Sequence, residues 1–106
     1  KAVELLAEIH EITEKNLPVP QALLTKAIEV TDCNAALFDT ANNFAGCIPG
    51  IHEVLRRQGL LKGTWCLNPH EVLSPGQSVE LDRVCKSYPH LIDDDFIRAN
   101  LKKWLI

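Results

Sequence analysis

Histidine and cysteine are the residues of this sequence best suited to metal binding or nucleophilic chemistry, and they are widely scattered. The histidines lie at positions 10, 52, 70 and 90, and the cysteines at positions 33, 47, 66 and 85. Zinc ligands normally occur in closely spaced motifs such as HExxH or paired CxxC, and neither is present here. The sequence therefore predicts no catalytic, cofactor-binding or metal-ligating residue. A redox or metal site assembled from Cys47, Cys66 and a histidine is the alternative.

Cys47 is the one cysteine that merits a reactivity test, because it precedes a predicted helix N-terminus, where a thiol pKa can be lowered. Its surroundings, GCIP, resemble no nucleophile elbow, so packing is the preferred interpretation. No secretion signal is visible, and most of the cysteines have apolar neighbours. All four cysteines are therefore predicted to be buried free thiols.

The acidic run Asp93–Asp95 suggests a cation site, but the ligand spacing of a calcium loop is absent. These acids instead open the last predicted helix, where negative charge is favoured by the helix dipole. The five glycines are isolated, so no phosphate-binding loop is predicted. The chain thus shows no self-contained active site.

The composition is that of one folded domain. The chain has 106 residues, 46% of them hydrophobic and 24% charged, and a formal net charge of −3. A basic excess is typical of nucleic-acid binders, so we expect no nucleic-acid partner. No apolar run approaches the ~20 residues that span a bilayer, and we expect a cytoplasmic protein without a membrane partner. Because the chain begins at Lys1 and lacks methionine, we expect a fragment of a longer protein.

Helical periodicity dominates, and no alternating strand pattern of useful length occurs. The spacing predicts a first helix over residues 2–15, ended by Asn16 and the following LPVP. A second helix opens at Pro20 and either runs through Thr31 and Asp32 into CNAALFDTANNF, residues 33–44, or breaks near Cys33–Asn34. Its predicted apolar stripe consists of Leu23, Leu24, Ala27, Ile28 and Val30. The predicted fold class is all-α, with about five helices in a single domain over residues 1–106.

The third helix has Pro49 in its first turn and Gly59 as a left-handed C-terminal cap. Its predicted buried face consists of Ile51, Val54 and Leu55. Arg56 and Arg57 lie in its last turn, where cations complement the helix dipole. An irregular connection containing tryptophan and proline follows. Its Trp65 and Leu67 are predicted to pack down onto the helices, because an exposed tryptophan leaves much apolar surface in water.

The fourth helix has a strong start signal. Ser74 is the predicted N-cap, Pro75 the first-turn residue and Gln77 the partner that completes a capping box. The fifth helix is predicted to run from the acids at 93–95 to the lysines at 102–103. The inner side of the fourth helix is predicted to consist of Val79, Leu81, Val84 and Cys85.

The segment IPGIHEVLRRQGLLKGTWCLNPHEVLSPGQ, residues 48–77, resembles the C-terminal segment of the dihydrodipicolinate synthase and N-acetylneuraminate lyase family. In that family a helix ending in xxxGL is followed by a tail of the form xGxxRxPxxxLS and a final helix. Here Gln58–Leu60 matches the helix end, Gly63 and Pro69 match the tail, and Leu73–Ser74 matches the start of the final helix.

Two positions depart from the family pattern. Cys66 stands where the tail arginine is usual, and His52 stands where a lysine is usual. Neither position bears the Schiff-base lysine of the family, so these departures concern the alignment and not the chemistry.

The resemblance implies a parent enzyme with a TIM barrel followed by a helical domain. Such enzymes are class I aldolases or lyases, in which a barrel lysine forms a Schiff base with pyruvate or a related keto acid. Neither that lysine nor the proton-relaying tyrosine of the barrel matches a residue here, which implies that this chain is inactive alone. The resemblance thus implies a structural and oligomerisation role, with the missing barrel domain and further copies as partners. An independent all-α protein-interaction module is the alternative, which exposure of Trp65 or Trp104 would favour.

Overall fold

The computed structural model describes all 106 residues as five α-helices without any strand, which confirms the all-α prediction. Two short 3₁₀ helices, Thr40–Asn42 and Pro89–Leu91, lie in the connections. None of the helices combines the length and apolar character that a bilayer crossing requires. The α-helices are α1 (Ala2–Glu14), α2 (Gln21–Phe38), α3 (Cys47–Arg57), α4 (Gln77–Ser87) and α5 (Asp94–Trp104).

Left-handed residues end α1 and α3. Asn16 has φ 49°, and the following Leu17 N donates to the Ile12 carbonyl at 2.9 Å. Gly59 has φ 81°, as its predicted role as a cap requires, and Leu60 N donates to the Leu55 carbonyl at 2.9 Å. Both patterns are Schellman motifs, which satisfy helix-end carbonyls and turn the chain away.

The central element is α2, which continues without a break through Cys33–Asn34. Both α3 and α4 pack against it. The buried apolar cluster lies at the α2–α4 contact and consists of Ala36, Leu81 and Val84, with Leu81 almost fully buried. This small cluster is the core of the domain.

The buried face of α3 differs from the prediction. Ile51, Val54 and Leu55 are only half-buried, whereas Pro49, Gly50 and Glu53 are buried. The reason is a close approach of two backbones, since a Cβ on Gly50 would collide with the Leu37 carbonyl oxygen of α2. The helix therefore turns its smallest residue, not its bulkiest ones, towards α2.

The start of α4 also differs from the prediction. The helix begins at Gln77, and its N-cap is Gly76 at φ 82°, so Ser74 and Pro75 lie in the preceding turn. Half of the capping box survives, because Ser74 N donates to Gln77 Oε1 at 3.0 Å. The Ser74 hydroxyl, however, donates to Asp39 instead of to the helix.

The inner side of α4 is confirmed at Leu81 and Val84, and Cys85 is half-buried. The prediction for Val79 is wrong, since this residue is exposed. Residues two positions apart in an α-helix differ by about 200° around the helix axis, so Val79 and Leu81 point to opposite sides of α4.

The prediction that Trp65 and Leu67 pack onto the helices is also wrong. Trp65 is 78% exposed and Leu67 is fully exposed. The indole instead lies over its own loop, where a Cβ on Gly63 would be only 2.5 Å from the ring. Thr64 and Cys66 of this connection contact His52 of α3, but no element covers the Trp65 and Leu67 side chains.

Little of the molecule is buried. Only ten of its 106 residues are buried, and α1 and α5 contribute none of them. The accessible surface is 7858 Å², about a third more than the ~5,900 Å² expected for a folded monomer of 11.8 kDa. The radius of gyration is 15.9 Å, compared with ~13 Å for a compact domain of this length. Large apolar faces therefore lack a cover.

Candidate functional site

The densest polar arrangement lies where α2 ends and α3 and α4 begin. Asp39 is buried there and accepts hydrogen bonds from Asn42 Nδ2 at 2.7 Å, Gly46 N at 2.8 Å and Ser74 Oγ at 2.5 Å. Burial raises the pKa of this carboxyl, but the three donors together outweigh burial and hold the pKa below its usual value. Asp39 is therefore an ionised acceptor, not a proton donor, at neutral pH.

Gln77 completes this junction. Its Nε2 donates to the Gly46 carbonyl at 2.9 Å, and its Oε1 accepts from Ser74 N. A Cβ on Gly50 would lie 2.6 Å from the same Nε2, so the amide leaves no room for a larger residue. Every buried polar side-chain atom of the chain has a hydrogen-bond partner. The junction consequently holds three elements together and leaves no buried polar side-chain atom without a partner.

A second polar cluster is centred on the buried Glu53 of α3 and reaches α4 through Arg57. Its carboxylate accepts from Arg56 Nε at 2.8 Å and Nη2 at 2.9 Å, and from Arg57 Nε at 2.8 Å. Arg57 Nη1 also donates to Asp82 of α4 at 2.6 Å. Arg56, together with Arg57, lowers the pKa of Glu53 to about 2 although burial opposes the shift. These arginines thus pair with acids in addition to complementing the helix dipole.

A third cluster joins α2 to α4 through Asp32. Arg83 donates to both of its carboxylate oxygens at 2.8 Å, and Tyr88 Oη donates to it at 2.8 Å. Arg83 and then Tyr88 lower the pKa of Asp32 to about 2. The same contact with Asp32 raises the pKa of Tyr88, so the phenol stays protonated. The geometry is that of a clamp between helices.

A redox or metal site made of Cys47, Cys66 and a histidine was the predicted alternative. The structure brings together two of these residues, Cys66 and His52. Cys66 Sγ lies 3.8 Å from His52 Nδ1 and donates to the Thr64 carbonyl at 3.5 Å. Burial, with the charge of Glu71, raises the pKa of the Cys66 thiol, which is the opposite of an activated nucleophile. Cys47 is the first residue of α3. No group of three or more His, Cys, Asp or Glu side chains is placed to hold a metal ion.

The four cysteines are free thiols, but they are half-buried and not buried as predicted. Burial raises the pKa of Cys33 and of Cys85. The small core explains the partial exposure of Cys33 and Cys85, because their helices, α2 and α4, are covered on one side only.

The acidic run at the start of α5 is occupied by donors of the chain itself. The Lys1 amino group lies 3.2 Å from Asp93, and Gln58 Nε2 donates to Asp94 at 3.0 Å. Arg98 pairs with Asp95 at 2.8 Å. These acids lie at the start of α5 as predicted, and two of them also form contacts with the start of α1 and the end of α3.

A trough of about 1160 Å³ lies between α1, α2, α4 and α5 and is also lined by the second half of α3. Only two ion pairs tie α1 across it, Lys1 to Asp93 and Lys26 to Glu8 at 3.7 Å. The apolar residues that line the trough include Leu5, Leu6, Ile9, Val30, Leu37, Leu81, Val84, Leu91, Ile92 and Ile97.

A second uncovered apolar surface, the α2 outer patch, faces away from the core. It consists of Leu24 and Ile28, which are 61% and 71% exposed and one helical turn apart. Sequence reasoning placed both in the apolar stripe of the helix, but periodicity cannot tell a covered face from an uncovered one.

Comparison of the chain with protein-family models, curated proteins and solved structures finds no match. The resemblance of residues 48–77 to the synthase and lyase family therefore stays a prediction.

Proposed function

We propose that this chain is the C-terminal helical part of a TIM-barrel lyase or synthase of the dihydrodipicolinate synthase and N-acetylneuraminate lyase family. Its role would be structural, to pack against the barrel and to contribute to contacts between subunits. The observation that carries the proposal is the uncovered apolar surface, above all two helices, α1 and α5, that bury no residue. Isolated apolar faces of this extent are typical of interaction surfaces.

The size of the uncovered surface supports this role. The excess over a compact monomer of the same mass is roughly 1,900 Å². An interface between domains of one chain buries about 300–750 Å² on each side, and a standard interface between proteins about 800 Å² on each side. The excess is therefore large enough for one contact of each kind.

The polar groups support a structural role as well. The carboxylates of Asp39, Glu53 and Asp32 are committed to donors of the chain itself. No lysine is buried, although a Schiff-base lysine needs a lowered pKa, which burial provides. In this proposal the reaction with pyruvate or a related keto acid belongs to the barrel.

The test compares the same variant in two contexts, this chain and the complete product of its gene. Leu24→Gln with Ile28→Gln should leave the unfolding free energy of the isolated chain within about 0.5 kcal/mol, because both residues are exposed. In the complete product the same double substitution should lower the unfolding free energy by about 2 kcal/mol or more, because there it would remove two apolar side chains that the barrel buries. Thr25→Gln, also exposed on α2, is the control and should be neutral in both.

Trapping of a Schiff base gives an independent check. Borohydride with pyruvate should give a covalent adduct on the complete product and none on this chain. A gene product without a barrel, or a double variant that is neutral in both contexts, would refute the proposal.

An independent all-α interaction module is the second candidate. Its supporting observation is the exposure of both tryptophans, Trp65 in the connection and Trp104 at the end of α5. If this candidate is correct, the complete product contains no barrel, and addition of its partner protects both indoles from quenching by acrylamide.

A further inference from the structure

The two helices without buried residues carry opposite charge. Inside α1 the charged residues are all acidic, and they include Glu4 and Glu8. In the second half of α5 the charged residues are all basic, and Lys102 and Lys103 form its last turn. None of the ion pairs that α1 and α5 make within the chain involves these two lysines.

Each of the two helices also presents apolar side chains beside its charges. On α1 the exposed apolar residues Val3, Leu6 and Ile9 recur every three residues along one side. On α5 the rings of Phe96 and Trp104 make an edge contact at 5.7 Å while both remain exposed. On α1 the apolar stripe is thus bordered by acids, whereas on α5 only the second half of the helix places basic residues beside its apolar side chains.

We propose that a second copy of this chain covers these stripes, with α1 of each copy packed antiparallel against α5 of the other. Antiparallel packing places the basic end of α5 beside Glu4 and Glu8 near the start of α1. It also aligns the two helix dipoles favourably. The helices are similar in length, ~20 Å for α1 and ~16 Å for α5.

The pairing satisfies the geometry of a closed dimer. Since α1 of the first copy meets α5 of the second and the reverse, the same contact forms twice about a two-fold axis. A stable dimer needs about 800 Å² from each partner, which is less than half of the roughly 1,900 Å² that each chain leaves uncovered. The inference rests on the proposed function in naming the subunit contact, while the α2 outer patch remains available to the barrel.

Charge reversal tests the pairing on the 106-residue chain by sedimentation equilibrium at low and at physiological salt. Lys102→Glu with Lys103→Glu, and separately Glu4→Lys with Glu8→Lys, should each raise the dimer dissociation constant about tenfold or more, because like charges then face each other. An equimolar mixture of these two variants should dimerise again, because both contacts in the mixed dimer regain opposite charges.

The matched control is Lys62→Glu with Lys86→Glu, which changes the net charge equally at exposed positions outside the two helices. This variant should dimerise like the wild type. When it is mixed with Glu4→Lys/Glu8→Lys, the dimers should be those of the control alone, and Glu4→Lys/Glu8→Lys should not be drawn into mixed dimers by general attraction. A monomeric wild type, a dimer insensitive to both reversals, or equal rescue by the control would overturn the pairing. None of these results bears on the α2 outer patch, whose test in the complete gene product decides the proposed function separately.

Discussion

Replacement of Glu53 by glutamine should destabilise the fold in a way that depends on pH. The residue is only 6% exposed, and three hydrogen bonds from Arg56 and Arg57 hold its carboxylate. The substitution keeps the shape of the side chain and removes the charge. One amide oxygen and one amide nitrogen then face two guanidinium groups, and the nitrogen cannot accept from either.

The magnitude follows from the pKa of Glu53, which falls from 4.5 to about 2 on folding. Such a change corresponds to at most about 3 kcal/mol of stability at neutral pH. Arg56 is half exposed and water screens its share, so we expect a loss of about 2 kcal/mol for Glu53→Gln. Because the pKa is lower in the folded state, this contribution is complete above about pH 5 and disappears as the pH falls towards 2.

Urea unfolding followed by circular dichroism at a fixed protein concentration measures this difference at several pH values between neutrality and pH 2. Glu71→Gln, in the exposed connection, is the control and should change little at any pH. The difference in unfolding free energy between wild type and Glu53→Gln could stay constant with pH, or be below about 0.5 kcal/mol at neutral pH. Either result would show that the ion pairs of Glu53 do not stabilise the fold.

Two further substitutions test the helix contacts. Gly50→Ala should cost about 2–3 kcal/mol in urea unfolding, because the new Cβ collides with the Leu37 carbonyl and forces α3 away from α2; an unchanged midpoint would contradict the close approach. Asp32→Asn should move the titration of Tyr88, followed by phenolate absorbance, to lower pH, because the carboxylate that raises this pKa is gone; a midpoint that does not move would show that the Tyr88 contact is not made in solution.

The positions of the five helices could be predicted from sequence because their signals are local. Helical periodicity, the prolines before α2 and in α3, and the glycine that ends α3 act within a few residues of one another. The spacing of potential metal ligands is likewise a feature of short sequence segments. The acids and bases at the two ends of α5 were predicted for the same reason.

The tertiary structure decided which faces are covered and which polar groups meet. The Ser74 hydroxyl was expected to cap α4, but Asp39, 35 residues earlier, accepts its hydrogen bond instead. Trp65 was expected to be packed and is exposed, because no other element covers its side chain. The contact between His52 and Cys66 depends likewise on how the connection folds back over α3.

The physical reason for this division is the range of the interactions. Backbone hydrogen bonds and caps in a helix join residues three or four positions apart, so the sequence by itself determined an all-α chain with a charged and an apolar side on most helices. Burial and ion pairing depend on distances between elements that are far apart in sequence. Only the tertiary structure could therefore decide that α3 turns Gly50 towards α2, that Glu53 is buried between arginines, and that α1 and α5 remain uncovered.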